Sequence, residues 1–544
     1  MTGVRIDRRC GFCKSNGVFY SKRKSIPLPS DEFLDAFTFI SSQPHKGNIA
    51  FIEAATGRTL AYIDLWRSVN SVAAGLSELG VRQGDVILLL SPNSIQFPII
   101  CLAVMSIGAI ITTTNPLNTP GEIHRQAADS NATLAFTIPA LIPKLSLTNL
   151  PIVLIGSDTE PRSCITTLDR LMRTNPERRP LVRIKQDDTA TLLFSSGTTG
   201  VSKGVASSHR NVIAMVSVLQ KRYSPGERLT FLCTVPMFHI YGLCCFATGL
   251  LAAGTTTVVI SKFELSEMLQ AVETYRVTHL PIVPPILVAL GGSEVSQRFN
   301  LGSLKNVVCG GAPVSREVTE AFLRRFPGVV LTQGYGMTET AGIGASTETP
   351  EEGKRYGSAG LLIPDMEAKI VDPETGESMP PNRRGELWLR GPSVMKGYFS
   401  NAEATAGTLN SEGWLRTGDL CYFDEDGFLF VVDRLKELIK YKGYQVAPAE
   451  LEALLLTHPN VEDAAVVPFP DKEAGQIPVA FVVKKAESHL SNATLLSFVA
   501  DRVAPYKKIR RVMFVRSIPK TSSGKILRKD LINLAIALSS NSKL

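Results

Sequence analysis

Short apolar runs of strand length alternate with amphipathic helical segments over most of the chain up to about residue 340. VILLL (86–90) and TVVI (257–260) are such runs, and HRNVIAMVSVLQ (209–220) has the spacing of a helix with one apolar face. Strands that alternate with helices in this way are typical of parallel sheets covered by helices. The sequence therefore predicts an α/β protein.

The chain of 544 residues is too long for a single hydrophobic core, which stops growing near about 250 to 300 residues. Over residues 357–433 the helical period fades, and short alternating segments such as GELWLRG lie between Gly, Pro and Asp turns. We predict a large N-terminal domain (1–433) of two helix-covered, mainly parallel sheets plus a β-barrel-like subdomain. A small, mobile α+β C-terminal domain (434–544) follows, with a hinge between Asp433 and Lys436.

The net charge of +8 comes from the C-terminal end of the chain. Residues 501–544 contain eleven Lys and Arg but two Asp and Glu, whereas the rest of the chain is nearly balanced. A solvated face, or a surface that meets the phosphates of a nucleotide-like substrate, would explain this excess. Because no nucleic-acid-binding motif or interleaved aromatic residues accompany the charge, we expect no nucleic acid partner.

The nine cysteines are scattered and lack the clustered histidines of a zinc site, so we interpret them as free thiols in a reducing compartment. The N-terminus MTGVRIDRRC has no apolar segment after its charges, which argues against a secretory signal. Two apolar stretches resemble membrane spans. Residues 97–111 fall short of the roughly twenty residues needed, and residues 243–260 indicate a helix, a turn and a strand. We expect no membrane span.

The segment SSGTTGVSKG (195–204) lies between a strand-like run and a helix-like segment. A phosphate-binding loop needs backbone N–H groups that point at the anion, glycines that allow close approach, and a cation. This segment supplies all three. The Walker pattern is absent, since Gly197 and Gly200 are too close together and Gly204 follows Lys203, which disfavours a kinase or GTPase.

Four further motifs follow along the chain, namely QGYGMTET (333–340), TGDL (417–420), DRLKELIKYKGYQVAPAELE (433–452) and PKTSSGKILRK (519–529). Together with SSGTTGVSKG, and in this order, they resemble the motifs of adenylate-forming enzymes, which include acyl-CoA ligases, firefly luciferase and the adenylation domains of peptide synthetases. The resemblance covers most of the chain. It implies that a carboxylic acid is activated as an acyl-AMP with release of pyrophosphate, and is then transferred to the thiol of CoA with release of AMP.

The resemblance implies ATP, Mg²⁺ and CoA as cofactors and assigns residues to them. The residues implied to contact nucleotide or pantetheine are Ser195, Ser196, Gly197, Thr198, Thr199, Gly200, Lys203, Gly310, Gly311, Ala312, Gln333, Gly334, Tyr335, Gly336, Thr338, Asp419, Arg434, Lys440, Lys442, Gly443, Gln445 and Lys525. Asp419 offers two carboxylate oxygens to the ribose hydroxyls. Tyr335 would lie against adenine, Thr338 would contact the α-phosphate, and Glu339 would hold the magnesium ion.

The implied catalytic residues are Lys525, His239, Thr338 and Glu339. Lys525 lies in a Ser- and Gly-rich segment that predicts a mobile turn. Its ammonium would stabilise the charge that develops on the α-phosphate oxygens, an effect of order 10²- to 10³-fold by analogy with oxyanion donors. His239 has apolar neighbours, as a core histidine does, but the resemblance makes it a wall of the active site.

In the resembling enzymes the C-terminal domain rotates about the hinge after adenylation. The rotation withdraws the catalytic lysine and brings the KYKGYQ loop to the thiol substrate. Gly443 would permit close passage of the backbone, Lys440 and Gln445 would line the nucleotide and pantetheine tunnel, and Arg434 would reach the ribose or carry the hinge.

The acyl pocket implied by the resemblance is largely apolar and consists of Ile240, Tyr241, Cys244, Pro281, Val308, Gly310 and Gly336. The chain is most similar to plant 4-coumarate:CoA ligases and their relatives. True coumarate ligases commonly have asparagine in place of Cys244 and lysine in place of Val308, where these side chains can reach the ring hydroxyl. A phenol buried without a partner costs about 1 to 3 kcal/mol. We therefore expect medium or long fatty acids, or cyclopentanone-bearing jasmonate precursors, rather than 4-coumarate.

The chain ends in Ser542, Lys543 and Leu544 after a polar segment. This tripeptide matches a peroxisomal import signal, so we expect the peroxisome as the location and the import receptor as a partner. β-Oxidation in that compartment requires CoA thioesters.

Other functions remain open at this stage. They are a 4-coumarate or hydroxycinnamate:CoA ligase, a luciferase-like oxygenase, a peptide-synthetase adenylation module, and a non-catalytic acyl-adenylate-binding protein. No G-x-S-x-G element points to a hydrolase. The sequence sets neither the exact acid nor the oligomeric state.

Overall fold

The computed structural model describes residues 5–45, 49–156, 164–195, 202–223, 228–292, 294–312, 314, 316–442, 444–471, 473–486, 488–521 and 524–541. Over these ranges, no helix combines the length and the apolar character needed to cross a membrane.

The strands of these residues are β1 (Phe12–Cys13), β2 (Val18–Tyr20), β3 (Ile49–Glu53), β4 (Thr59–Ala61), β5 (Val86–Leu90), β6 (Ile110–Thr113), β7 (Ala132–Thr137), β8 (Ile152–Leu154), β9 (Thr166–Thr167), β10 (Thr189–Ser195), β11 (Lys203–Ser208), β12 (Thr230–Cys233), β13 (Thr256–Val259), β14 (His279–Ile282), β15 (Asn306–Gly310), β16 (Val330–Met337), β17 (Gly342–Ser346), β18 (Leu361–Leu362), β19 (Glu367–Val371), β20 (Gly385–Arg390), β21 (Gly397–Tyr398), β22 (Leu415–Phe423), β23 (Leu429–Arg434), β24 (Ile439–Tyr441), β25 (Tyr444–Val446), β26 (Val461–Asp471), β27 (Gly475–Lys484) and β28 (Arg511–Phe514).

The α-helices are α1 (Ala36–Ser41), α2 (Tyr62–Glu78), α3 (Gln96–Ser106), α4 (Pro120–Asp129), α5 (Leu168–Met172), α6 (His209–Arg222), α7 (Ile240–Gly242), α8 (Leu250–Ala252), α9 (Leu265–Thr274), α10 (Pro284–Gly292), α11 (Arg316–Arg325), α12 (Pro350–Gly353), α13 (Ala402–Thr408), α14 (Pro448–Leu456), α15 (Asn492–Ala500) and α16 (Arg528–Asn541). A π-helix (Leu243–Gly249) joins α7 to α8.

The first large sheet has eight strands in the order β21-β11-β10-β6-β5-β7-β8-β9 and is parallel from β10 to β9. Its central strand β5 is the run VILLL, and all five residues are buried. Helices cover a parallel sheet on both faces, so its inner strands have no polar face, which explains a continuous apolar run. The predicted strand is confirmed.

The second large sheet has nine strands in the order β18-β17-β16-β15-β14-β12-β13-β3-β4 and is parallel from β16 to β3. Helix α3 is buried along Phe97–Ser106 and packs against α1, α2 and the π-helix. The apolar stretch at 97–111 is thus an interior helix followed by β6. The second stretch forms the π-helix, α8 and β13, which confirms the predicted helix, turn and strand.

A third sheet of six antiparallel strands, in the order β1-β2-β19-β20-β22-β23, forms most of the predicted β-rich region. An isolated bridge between Gly360 and Leu429 joins its last strand to the segment before β18. One continuous hydrophobic core runs through these three sheets. The α/β class with two mainly parallel sheets and a β-rich subdomain is confirmed.

The fourth sheet takes its strands from residues 439–514, in the order β25-β24-β27-β26 with β28 beside β27. Alternate residues of β26 and β27 point to opposite faces. Val466 and Val482 join a cluster with α14 and α15, whereas Val467 and Phe481 join a cluster with α16. Helix α14 begins at Pro448, as the sequence predicts. The boundary after residue 433 and the mobility of the second domain stay predictions.

Candidate active site

Some of the implied nucleotide residues lie at the carboxyl ends of parallel strands in the two large sheets. Ser195 ends β10, Gly310 ends β15, and Gly310 pairs with Gly334 of β16. Ligands commonly bind outside the carboxyl ends of parallel strands because the following turns project there. Gly311 has φ +88°, a conformation that favours glycine, and lets the chain turn away directly after β15.

Tyr335, Asp419 and Arg434 form a connected group at this edge. The Tyr335 hydroxyl donates to Asp419 Oδ2 (2.6 Å), and Arg434 Nε lies 3.5 Å from Asp419 Oδ1. Asp419 and Arg434 are cross-strand neighbours on β22 and β23, which accounts for the ion pair. Burial raises the pKa of Asp419, although the Arg434 guanidinium and the Tyr335 hydroxyl oppose that shift. The group presents a buried carboxylate between a phenol ring and a cation.

Glu339 lies in a short 3₁₀ turn directly after β16. It is buried, and its Oε1 accepts a hydrogen bond from the Tyr398 hydroxyl (3.0 Å). A β-bulge at Gly336 precedes this turn, and a Cβ at Gly336 would lie 1.8 Å from the carbonyl oxygen of Gly342. Only glycine fits this close backbone crossing, which directs Thr338 and Glu339 to the end of the sheet.

Lys203 begins β11 and lies close to Tyr398, the partner of Glu339. Its Nζ lies 4.8 Å from the ring centroid of Tyr398, so the aromatic ring contacts a cation on its face and an anion at its hydroxyl. Lys203 also pairs with Ser195 across β10 and β11. The two described ends of the glycine-rich loop are therefore adjacent.

His239 lies at the start of α7. Its Nδ1 accepts a hydrogen bond from the backbone N–H of Tyr241 (3.3 Å) and caps α7. The imidazole is exposed to solvent, yet desolvation by the surrounding protein lowers the pKa of His239. The exposure excludes the core position that the apolar neighbours of His239 would ordinarily indicate.

The implied acyl residues surround the Tyr241 ring. The Tyr241 hydroxyl donates to the Val308 carbonyl (3.1 Å), and Val308 pairs with Pro281 of the adjacent strand. A Cβ on Gly310 would lie 3.4 Å from the Tyr241 ring. Cys244 is buried, and both the neighbouring Cys245 thiol and burial raise the pKa of Cys244. A neutral thiol adds no charge to this apolar region.

A small cavity of about 10 Å³, with room for about one water molecule, lies beside Cys244. It is lined by Thr191, Val212, Met215, Ile240, Leu243, Cys244, Thr248 and Ala341. Ala341 follows Glu339 by two residues, so the cavity reaches the turn that carries the implied metal ligand.

Lys525 approaches this region on a turn of the fourth-sheet unit. Thr521 N donates to the Lys525 carbonyl (2.8 Å), and Lys525 N donates to Thr521 Oγ1 (3.1 Å). A Cβ on Gly524 would lie 3.2 Å from Pro285 at the start of α10, so the turn contacts the second large sheet unit. Burial and the Arg434 guanidinium lower the pKa of Lys525, whereas Glu437 and Asp419 oppose that shift.

The hairpin of β24 and β25 carries the other implied C-terminal residues. Lys440 and Lys442 are exposed, and their backbone N–H groups bond to the Gln476 side chain (2.8 Å) and the Ala474 carbonyl (2.9 Å). These bonds tie the hairpin to the fourth sheet. Lys525, by contrast, lies close enough to Asp419 and Arg434 for their charges to shift its pKa.

Some predicted residues lie outside the described residues or have no described side chain. They are Ser196, Gly197, Thr198, Thr199, Gly200, Gly443, the side chain of Gln445, Ser542, Lys543 and Leu544.

Comparison with known proteins identifies the family. Residues 39–399 match the AMP-binding enzyme family, and residues 450–525 match the AMP-binding enzyme C-terminal domain. The chain belongs to the AMP-binding enzyme family.

Relatives within this family are similar over nearly the full length. A protein of Humulus lupulus named "Probable CoA ligase CCL5" is 62% identical over 97% of this chain and 98% of its own. A peroxisomal OPC-8:0-CoA ligase of Arabidopsis thaliana is 61% identical over 99% of this chain and 100% of its own. The structure of o-succinylbenzoate-CoA synthetase from Bacillus subtilis with ATP and magnesium superposes with a TM-score of 0.79, at 28% identity, over 92% of this chain and 99% of that one. The chain is an ATP-binding, AMP-forming acyl-CoA ligase, as the motifs predict.

Three residues of this ligase site were missed by reasoning from the sequence. Tyr398 contacts both Glu339 and Lys203, and Thr113 Oγ1 donates to the carbonyl of the residue before His239 (2.6 Å). Asn93 Oδ1 accepts from the backbone two residues before His239 (2.8 Å). Tyr398 follows a glycine in MKGYFS, which is the only local signal for it. Thr113 is the last residue of β6 and Asn93 lies in the turn after β5, and neither position is part of a motif.

Proposed function

We propose that the chain converts a fatty acid or a cyclopentanone-bearing jasmonate precursor into its CoA thioester in the peroxisome, through an enzyme-bound acyl adenylate. One observation carries the proposal. An apolar acyl region around Tyr241 and Cys244 adjoins the turn of Glu339, and the Lys525 turn docks beside Asp419 at the same cleft.

In the first half-reaction, the residues of the large sheets orient the nucleotide. Asp419 accepts hydrogen bonds from the ribose hydroxyls, and Tyr335 supports Asp419 while its ring lies against adenine. The acid carboxylate attacks the α-phosphate, pyrophosphate leaves, and Lys525 stabilises the charge on the phosphate oxygens. His239 walls the cleft and limits access of water to the reacting acid.

The residues present fit a magnesium ion. No group of three or more His, Cys, Asp or Glu among the described residues is arranged to hold a metal, but Mg²⁺ is commonly bound by one or two carboxylates plus substrate phosphates. Glu339 has a second carboxylate oxygen besides the one bonded to Tyr398, and Thr338 lies next to it. When bound, the ion would neutralise charge on the phosphates of ATP.

In the second half-reaction, the thiol of CoA attacks the acyl carbonyl and AMP leaves. We propose that the unit from residue 434 rotates, so that Lys525 withdraws and Lys440, Gly443 and Gln445 line the path of pantetheine. The exposure of Lys440 supports this division of work.

The choice of acid rests on Cys244 and Val308. Neither side chain offers an ionised or amide partner for a ring hydroxyl, and the Val308 carbonyl already accepts from Tyr241. A phenol without a partner would be disfavoured by about 1 to 3 kcal/mol. The Arabidopsis relative is named for an OPC-8:0 substrate and for the peroxisome, which supports this acid class and, together with the C-terminal Ser542-Lys543-Leu544, import by the peroxisomal receptor.

The direct test supplies ATP, Mg²⁺ and CoA with hydroxycinnamic, fatty and cyclopentanone acids, and follows release of AMP. We expect the highest kcat/KM for a fatty or cyclopentanone acid. Preference for 4-coumarate would overturn the choice of acid and favour the hydroxycinnamate ligase. Failure of labelled pyrophosphate to enter ATP with every acid would refute the acyl-adenylate mechanism itself, and light emission with luciferin would favour an oxygenase.

A further inference from the structure

We propose that Tyr398 is a positioning residue that holds the Glu339 carboxylate for the magnesium ion and supports the Lys203 ammonium with its ring. The inference rests on the proposed function, since it takes Glu339 as the metal ligand and Lys203 as a phosphate contact. It adds to the site a residue that lies outside all five motifs of the sequence.

The backbone of Tyr398 is fixed beside the strand that begins with Lys203. Strand β21 pairs with β11, where Tyr398 opposes Val205, and Phe399 N donates to the Gly204 carbonyl (2.7 Å). Tyr398 N also donates to Thr405 Oγ1 (2.9 Å). These bonds fix the backbone from which the Tyr398 ring projects, relative to the end of the glycine-rich loop.

The segment before Tyr398 is hydrogen-bonded to helix α6 and to the turn that carries Glu339. Asn211 Nδ2, in the first turn of α6, donates to the carbonyls of Pro392 and Val394 (2.8 Å each). Met395 N donates to the Glu339 carbonyl oxygen (2.9 Å). Both the backbone and the side chain of Glu339 are thus bonded to the segment 395–398.

The Tyr398 hydroxyl remains a donor under ordinary conditions. A tyrosine phenol is protonated at neutral pH, and this one donates a hydrogen bond to Glu339 Oε1 (3.0 Å). A hydrogen bond to an ionised carboxylate is stronger than one between neutral groups and restricts rotation of the carboxylate. Carboxylates that bind metals commonly have such partners, whose loss typically costs 10- to 100-fold in metal affinity.

The ring has a second, separable contact. Lys203 Nζ lies 4.8 Å from its centroid, within the range of a cation–π interaction. Phenylalanine keeps this face and removes the hydroxyl, whereas leucine removes both. The two substitutions therefore separate the metal contribution from the phosphate contribution.

The test uses the full chain, ATP and Mg²⁺, without acid, and measures ATP binding by calorimetry over a series of Mg²⁺ concentrations. For Tyr398→Phe we expect the half-saturating Mg²⁺ concentration to rise about tenfold, with unchanged binding of ATP in the presence of EDTA. Tyr398→Leu should show the same rise and also weaken binding of metal-free ATP. The matched control is Tyr275→Phe, which removes a hydroxyl bonded to the Ala54 carbonyl (3.0 Å) far from the cleft.

An unchanged Mg²⁺ requirement in Tyr398→Phe would overturn the inference. So would an equal loss of ATP binding with and without Mg²⁺, because that result indicates a purely structural role. Melting temperatures of all three variants check folding. If wild-type protein bound ATP without any effect of Mg²⁺, the metal role of Glu339 in the proposed function would fail, a result that the variants alone cannot produce.

Discussion

The two sides of the cleft are built differently. On the side of the large sheets, Tyr335 reaches Asp419 and Tyr398 reaches Glu339, so side chains from separate sheets hold one another. On the other side, the Lys525 turn is held by Thr521 within its own segment and meets α10 at Gly524. In the proposed mechanism, the nucleotide site keeps a fixed geometry, whereas the Lys525 cation serves one half-reaction and then withdraws. The difference in attachment matches these two requirements.

Asp433 joins the two sides. It lies on β23 of the third sheet, opposite Leu420, and its Oδ2 accepts from Ala449 N (2.9 Å) at the start of α14. Ala447 makes no side-chain cap at this helix start, and Pro448 has no N–H to offer. The carboxylate of one side therefore caps a helix of the other.

Lys525→Ala is the strongest test of the difference between the two sides of the cleft. We expect acyl-adenylate formation to fall on the order of 10²- to 10³-fold, because the cation no longer stabilises the phosphate oxygens. Formation of thioester from supplied acyl-AMP should be spared. Single-turnover assays of both half-reactions measure this, with the exposed Lys529→Ala as control. Equal loss in both half-reactions would show that the two sides do not divide the work.

Asp419→Ala tests the side of the cleft that the large sheets form. The KM for ATP should rise roughly 10- to 100-fold, because charge-assisted hydrogen bonds to the ribose are lost. Steady-state kinetics with saturating acid and CoA measure this. The KM for the acid should stay close to that of the wild type, and an effect on the acid alone would contradict the assignment of Asp419 to the nucleotide.

Val308→Lys combined with Cys244→Asn tests the implied acyl pocket on the same side of the cleft. We expect the ratio of kcat/KM for 4-coumarate over that for a fatty acid to rise about tenfold, since the new polar groups provide partners for the ring hydroxyl. Competition assays with both acids measure the ratio directly. No change in the ratio would mean that other residues choose the acid.

The smallest predicted effect is a pH dependence that arises from Asp433, which bonds to Ala449 at the junction of the two sides. Burial raises the pKa of Asp433 to about 6, while the N–H groups of Ala449 and Arg434 and the charge of Arg528 oppose the shift and Glu452 adds to it. The carboxyl therefore binds its proton more tightly when docked than when exposed, and acid favours the docked arrangement. From pH 7 to 5.5, we expect adenylation to gain about fourfold relative to thioester formation from supplied acyl-AMP.

Asp433→Asn should remove this pH dependence, because the amide does not titrate in the range. The ratio of the two half-reactions, measured at both pH values in wild type and variant, provides the comparison. The same pH response in both proteins would assign it to another group.

The sequence by itself determined the class of fold and the family. The apolar runs marked β5 and β13, Pro448 marked the start of α14, and the five motifs identified the family. These signals are local, because the period of a strand or helix and the chemistry of a turn depend on neighbours along the chain.

Only the tertiary structure decided which distant residues meet. The contact of Tyr398 with Glu339 depends on the pairing of β21 with β11, and the cap from Asp433 to Ala449 depends on how the third and fourth sheets dock. Sheet order and register bring together residues that no local pattern relates. For this reason the positions that hold the motif residues in place were found in the structure and not in the motifs.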